Sequence, residues 1–261
     1  MQPDLLFYLI VTVAVVILGL SKGGFAGVGM ISTPMLALVV GPVAAAGFIF
    51  PILVIQDVIA VVMYRRTFDR RILATMIPGA ALGVCIAYAF ASTVPSWAVE
   101  IVLGVVSFIF SLRQLKSQIG NASQSGHVYS RWLGVLSGLG SGFTSMIAHA
   151  GTPPFQFYVM PRRLDRDMYV GTSVLFFAAT NLMKAPAFFA LGQLSGAQLR
   201  TTALFFPLAM ASSWLGVRLV RTIDVRKFNV VITVILLGVS VALISQGIAG
   251  FREFIALKDA V

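Results

Sequence analysis

The feature that most limits how this chain can fold is the length of its near-uncharged apolar runs. Phe48–Tyr64, Ile72–Ala91 and Val230–Ile248 are the clearest of them. About 20 apolar residues of helix cross the hydrocarbon core of a bilayer. Lipid offers the backbone no hydrogen bonds, so a spanning segment must be a helix or part of a closed barrel. Barrel strands alternate apolar and polar residues over about 10 positions. These runs do not alternate, so they read as membrane helices. Composition agrees: 58% of the 261 residues are hydrophobic and only 11% are charged. A soluble domain carries about 25% charged residues to cover itself.

The formal net charge is +10. In a soluble chain that would suggest nucleic acid. Here it suits cationic loops that orient membrane helices, and no nucleic-acid partner is expected. Cys85 is the single cysteine, which excludes an internal disulfide. Met1-Gln2-Pro3-Asp4 has no cationic stretch, and no small-residue cleavage site follows. Leu5–Leu20 therefore reads as a retained helix, not as a secretory signal.

Charges and Gly/Pro clusters divide the chain in two. Leu5–Val40 is interrupted at Ser21–Gly29, and the spans Val43–Tyr64, Ile72–Ala91 and Trp97–Leu115 follow. Lys116–Ser130 is a polar linker. Arg131–Met160 is then interrupted at Gly138–Ser145, and Met168–Leu191, Gln198–Val220 and Phe228–Ile248 follow. Gly24-Phe25 resembles Gly142-Phe143, Thr33-Pro34 resembles Thr152-Pro153, and Pro78 resembles Pro207. The expected organisation is a first transmembrane repeat over 1–115, a cytoplasmic linker over 116–130 and a second repeat over 131–261. Duplicated halves with broken first helices are a transporter pattern.

Charge orients these pieces. Lys and Arg gather at 65–71, 113–131, 162–166 and 218–227, and are absent from Gly41-Pro42, Ser92–Ser96 and Leu191–Gly196. If every broken segment crossed once, one basic loop would lie outside. If each broken segment is a re-entrant hairpin, all the basic loops share the cytoplasmic side. The halves then have inverted topology, with both termini external. The fold expected is an all-α polytopic membrane protein of two inverted-topology repeats, each a broken, re-entrant helical hairpin plus three transmembrane helices. Non-helical backbone at membrane depth must be buried in protein or line a cavity, so the hairpin tips should meet and form the site.

Polar residues at that depth are the candidates. Lys22 stands beside Gly23 and Gly24 at the first break. An intramembrane charge is expensive and usually functional, and a half-helix starting there would aim free N–H groups at an anion. Interfacial snorkelling is the plain alternative. Ser141, Gly142, Thr144 and Ser145 could donate to an oxyanion or simply pack helices. Asn181 and Lys184 are three apart on one helix face, suited to a small oxoanion. Asp57 is the one carboxylate deep in a span, either the counter-ion of Lys184 or a proton carrier. His149 lies between helix breakers and could relay protons or touch substrate. Gln156 and Tyr158 could hydrogen-bond substrate or pack. No Walker-type loop and no metal-ligand spacing occurs, so no cofactor and no metal are expected.

Gly19-Leu20-Ser21-Lys22-Gly23-Gly24-Phe25, His149 through Tyr158, and Gly171-Thr172-Ser173 through Asn181-Leu182-Met183-Lys184 occur in order and cover nearly the whole chain. In these stretches the sequence resembles the TauE/SafE sulfite-exporter family. It departs at Gly27-Val28-Gly29-Met30 and at Ile147-Ala148-His149, where many members carry a triple-glycine run. The resemblance implies a bacterial inner-membrane permease for sulfite, sulfonates such as sulfoacetate, or related sulfur compounds. The expected function is a secondary transporter, in the export direction, with a small anion and the lipid bilayer as partners. A homo-oligomer is compatible with the sequence. An anion channel is the alternative. A membrane-embedded enzyme would need His149 and Asp57 within mutual reach.

Overall fold

The computed structural model describes residues 5–23, 27–91, 93–119, 129–219 and 225–259. Helix α1 (Leu5–Ser21) ends at the first break, and a 3-10 turn (Val28–Ile31) leads into α2 (Ser32–Val40). Helices α3 (Pro42–Tyr64), α4 (Arg70–Ala91) and α5 (Ser96–Ile119) follow. After the linker come α6 (Arg131–Ala148), α7 (Thr152–Val159) with a 3-10 turn (Met160–Arg162), α8 (Arg166–Ala190), α9 (Gly196–Ala203), α10 (Phe206–Leu219) and α11 (Val225–Asp259). The described residues contain no strand. Five helices, α3, α4, α5, α8 and α11, are long and apolar enough to cross a membrane. The protein is an all-α polytopic membrane protein.

The arrangement places apolar side chains outside and polar ones inside. Leu182 and Phe189 are 75% and 76% exposed, whereas Gln56, Asp57, Ser141, Ser145 and Lys184 are buried. In lipid this costs the apolar side chains nothing, while the buried polar groups find partners inside the bundle.

Local signals set the helix ends. Gly41, at φ 81°, turns the chain between α2 and α3, and Pro42 starts α3 where its missing N–H is harmless. Asp69 caps α4, accepting from Arg71 N at 2.8 Å and Ile72 N at 3.0 Å. Asp165 caps α8, accepting from Met168 N at 3.2 Å.

Both broken segments return to the end they left. Phe7 packs on Phe48 and Tyr8 stacks on Phe205, so the start of α1 lies near the end where α2 runs into Gly41-Pro42. In the second segment Arg162, at the end of the turn after α7, donates to the Tyr129 carbonyl, just before α6 begins. Each hairpin is strapped to a crossing helix through small residues. Gly138 and Gly142 of α6 lie against the α4 backbone at Met76 and Ala80, and Gly79 and Gly83 of α4 lie against α6 at Val135 and Leu139. On the other side Gly19 and Gly23 meet α10 at Ser212 and Gly216. Small residues at four-residue spacing let two backbones approach closely.

These contacts correct the sequence reading of the second break. Gly138–Ser145 is continuous helix, and the chain breaks at His149–Gly151, where His149 adopts φ 52°. The Gly/Ser run that looked like a turn is an interface. The span expected over Gln198–Val220 is also divided. It breaks at Leu204-Phe205, with Pro207 in the first turn of α10. The α5 helix runs on to Ile119, past the expected start of the linker, and α11 runs on to Asp259. The remaining linker residues, 120–128, lie outside the described residues.

Candidate functional site

Helices α3 and α8 carry the depth-placed polar groups and run antiparallel. Phe50 of α3 stacks on Phe188 of α8, and farther along Tyr64 lies with Val174. Between those contacts Asp57 meets Asn181. Asp57 stands fifteen residues after the first residue of α3, and Asn181 fifteen after the first of α8. Asn181 Nδ2 donates to Asp57 Oδ2 at 2.5 Å, and Lys22 Nζ to Asp57 Oδ1 at 2.5 Å. The first hairpin tip is thereby tied to the crossing point of α3 and α8. The partner of Asp57 is Lys22, not Lys184 as one sequence reading had it.

Lys184 sits one turn beyond Asn181 and is 0% exposed. Its Nζ donates to Ser145 O at 3.1 Å, Ser145 Oγ at 3.1 Å and His149 Nδ1 at 2.9 Å. It also lies 5.8 Å from the Phe50 ring centre and 5.9 Å from that of Phe188. Three acceptors and two aromatic faces suit an ammonium. No carboxylate of the described residues pairs with it, and Asp57 pairs with Lys22. His149 Nε2 lies 3.0 Å from Ala46 O. A carbonyl only accepts, so Nε2 carries the hydrogen and Nδ1 is left to receive the lysine proton. His149 is thus neutral, and the second hairpin tip is clamped between α3 and α8.

A cavity of about 110 Å³ lies beside these groups, walled in part by Lys22, Ser145, His149 and Asn181. It extends along Asn181, Phe177, Ser173 and Tyr169, four residues apart on one face of α8. That stripe leads toward the arginine-rich end. On the opposite side Phe50, Phe188 and His149 stack, with Phe50 and Phe188 at 4.5 Å, and close the way. The chamber lies where both hairpin tips meet and combines Lys22, Asn181 and the hydroxyls of Ser145 and Ser173 with apolar walls from Leu18, Leu53 and Phe177.

The family model described as sulfite exporter TauE/SafE matches residues 11–243. This chain belongs to the TauE/SafE sulfite exporter family. Membership implies a membrane transporter of sulfite or related anions. No curated protein matches, and no solved structure matches.

In this TauE/SafE protein several residues singled out from sequence do other work. Gly23 and Gly142 are helix-packing contacts. Ser141 Oγ donates to Gly151 O at 2.6 Å and fastens the second hairpin. Thr144 Oγ1 donates to Gly140 O at 2.8 Å within its own helix. Gln156 and Tyr158 are buried, off the cavity wall, and Tyr158 bonds Arg162. Gly24 lies outside the described residues. Backbone donors at the second tip are few, because Pro153 and Pro154 have no N–H. His149 and Asp57 bond to different partners and share no hydrogen bond. The sequence reading missed Phe50, Phe188, Phe177 and Tyr169. With 20 phenylalanines in the chain, no local signal marks which close a chamber.

Proposed function

We propose that the protein is a secondary transporter, an exporter, of a small sulfur oxoanion across the bacterial inner membrane, with sulfite or an organosulfonate such as sulfoacetate as cargo. The observation that carries this reading is Lys184: a fully buried cation without a carboxylate partner, one hydrogen bond behind the Ser145 and His149 wall of the chamber. Burying a lone charge costs several kcal/mol, and an anion in the chamber supplies the missing counter-charge. Lys22, Asn181, Ser145 and His149 line that chamber and contact the cargo.

Alternating access is supported by the packing. The second hairpin packs on α4 as the first packs on α10, and α4 contacts α8 as α10 contacts α3. Asp57 and Asn181, at equal register in their helices, touch each other. These paired contacts support a reading as two inverted repeats around a shared site. The chamber extends toward the basic, cytoplasmic end, and the aromatic stack closes the other side, as in an inward-facing carrier. Both termini are then periplasmic. An inside-negative potential drives an anion outward by about 2.3 kcal/mol per charge per 100 mV. Asp57 and His149 are the groups at this depth able to carry a coupled proton.

The test is ligand-induced thermal stabilisation of the purified protein with sulfite, sulfoacetate, sulfate and a carboxylate analogue, with Lys184→Ala alongside. A sulfur oxoanion should raise the melting temperature of the wild type and leave the variant unmoved. No response in the wild type, or an equal one in the variant, ends the assignment. A channel would show flux that does not saturate with substrate, where a carrier saturates.

A further inference from the structure

The charges around the chamber can be counted. Lys22 of the first hairpin, His149 of the second and the phenol Tyr169 of α8 line the chamber, while Asp57 of α3 and Lys184 of α8 lie behind that wall, bonded to Lys22 and Asn181 and to Ser145 and His149. Helix α10 and the α2 hairpin arm bring no ionisable side chain to the chamber wall. Lys22 and Asp57 cancel at 2.5 Å. His149 is neutral, because its Nε2 faces a carbonyl and its Nδ1 faces an ammonium. One positive charge, on Lys184, is left over among the described residues.

We infer that the chamber selects singly charged oxoanions, and that Asp57 sets this selectivity by cancelling the charge of Lys22. The inference rests on the anion-transport reading and narrows it. A monoanion brings the site to neutrality. A dianion leaves one negative charge in excess, away from water, where unpaired charge is expensive. Asp57 is well placed for this task. It accepts from Lys22 on one oxygen and from Asn181 on the other, and both of these donors line the chamber. A dianion is balanced only when a proton accompanies it onto the Asp57 carboxylate. Within the sulfur oxoanions this favours hydrogensulfite and monosulfonates over sulfate, and of the cargoes proposed above it retains hydrogensulfite and drops sulfoacetate, a dianion at neutral pH.

The experiment uses permanently charged probes at neutral pH: methanesulfonate against ethane-1,2-disulfonate and sulfate. Binding to the full-length protein in detergent is measured by calorimetry, with folding checked by gel filtration. The wild type should bind methanesulfonate at least about tenfold tighter than either dianion, a difference of about 1.4 kcal/mol. Asp57→Asn should reverse the order. The Lys22→Gln/Asp57→Asn double variant, again with one excess cation, should restore it. If Asp57→Asn does not fold, the wild-type order and the double variant still decide. A wild type that prefers dianions, or an order unchanged in Asp57→Asn, overturns the charge rule and leaves anion transport standing. A wild type that binds none of the probes and no sulfite overturns both.

Discussion

At Lys184 the proposed role in binding can be separated from a role in stability. Its ammonium is buried with neutral acceptors only. Replacing a buried charge by an apolar side chain of similar volume is often neutral or stabilising. We therefore expect Lys184→Met to unfold within about 1 kcal/mol of the wild type in chemical denaturation, yet to lose anion-induced stabilisation. A collapse in stability would mean that the lysine is structural. Asn181→Ala should behave oppositely. It removes a donor from a carboxylate that keeps only Lys22, and should cost about 1–3 kcal/mol. Lys22, Asp57 and Lys184 were legible in sequence because a charge inside an apolar run has few innocent explanations. Which lysine pairs with Asp57 was not legible. The two lie 35 residues before it and 127 after it, and only the depth of each hairpin tip decides.

At the scale of elements, the small residues carry the lesson. Gly138, Ser141, Gly142 and Thr144 have the composition of an oxyanion site and the composition of a close helix contact. The structure makes Gly138 and Gly142 the latter, because α6 is one helix to Ala148 and lies backbone to backbone on α4, while Ser141 and Thr144 bond within their own hairpin. A side chain at Gly142 would overlap the Ala80 carbonyl. Gly142→Leu should therefore lower stability by about 1–3 kcal/mol, read as a reduced melting temperature in detergent. Ser141→Ala frees the Gly151 carbonyl and should cost about 1 kcal/mol. It should slow transport in proteoliposomes without altering which anion is preferred. A changed preference would return Ser141 to the binding site.

For the whole molecule, the proposed orientation puts the basic loops in the cytoplasm and both termini outside. Thiol labelling of intact cells tests it, in a Cys85→Ser background that removes the single native cysteine. Gln193→Cys, in the uncharged connection between α8 and α9, should react with an impermeant reagent from outside. Ser130→Cys, at the start of α6, should react only after permeabilisation. Both reacting from one side would end the inverted arrangement. A probe at Ser123 would serve the same purpose, but that residue lies outside the described residues.

The sequence by itself determined that this protein lives in a membrane as helices, because only a helix satisfies its own backbone across a long apolar run. It also located Val43–Tyr64, Ile72–Ala91, Trp97–Leu115 and Met168–Leu191 within a few residues of α3, α4, α5 and α8, together with the first break and the charges worth questioning. The tertiary structure alone decided where the second hairpin turns, which span divides at Leu204-Phe205, and which polar residues meet. Glycines and hydroxyls mean packing or binding according to what lies across from them. An ion pair or an aromatic closure is likewise a property of helices brought together from distant parts of the chain. No window of sequence contains Lys22, Asp57, Asn181, Lys184 and Phe50 at once; the antiparallel crossing of α3 and α8 does.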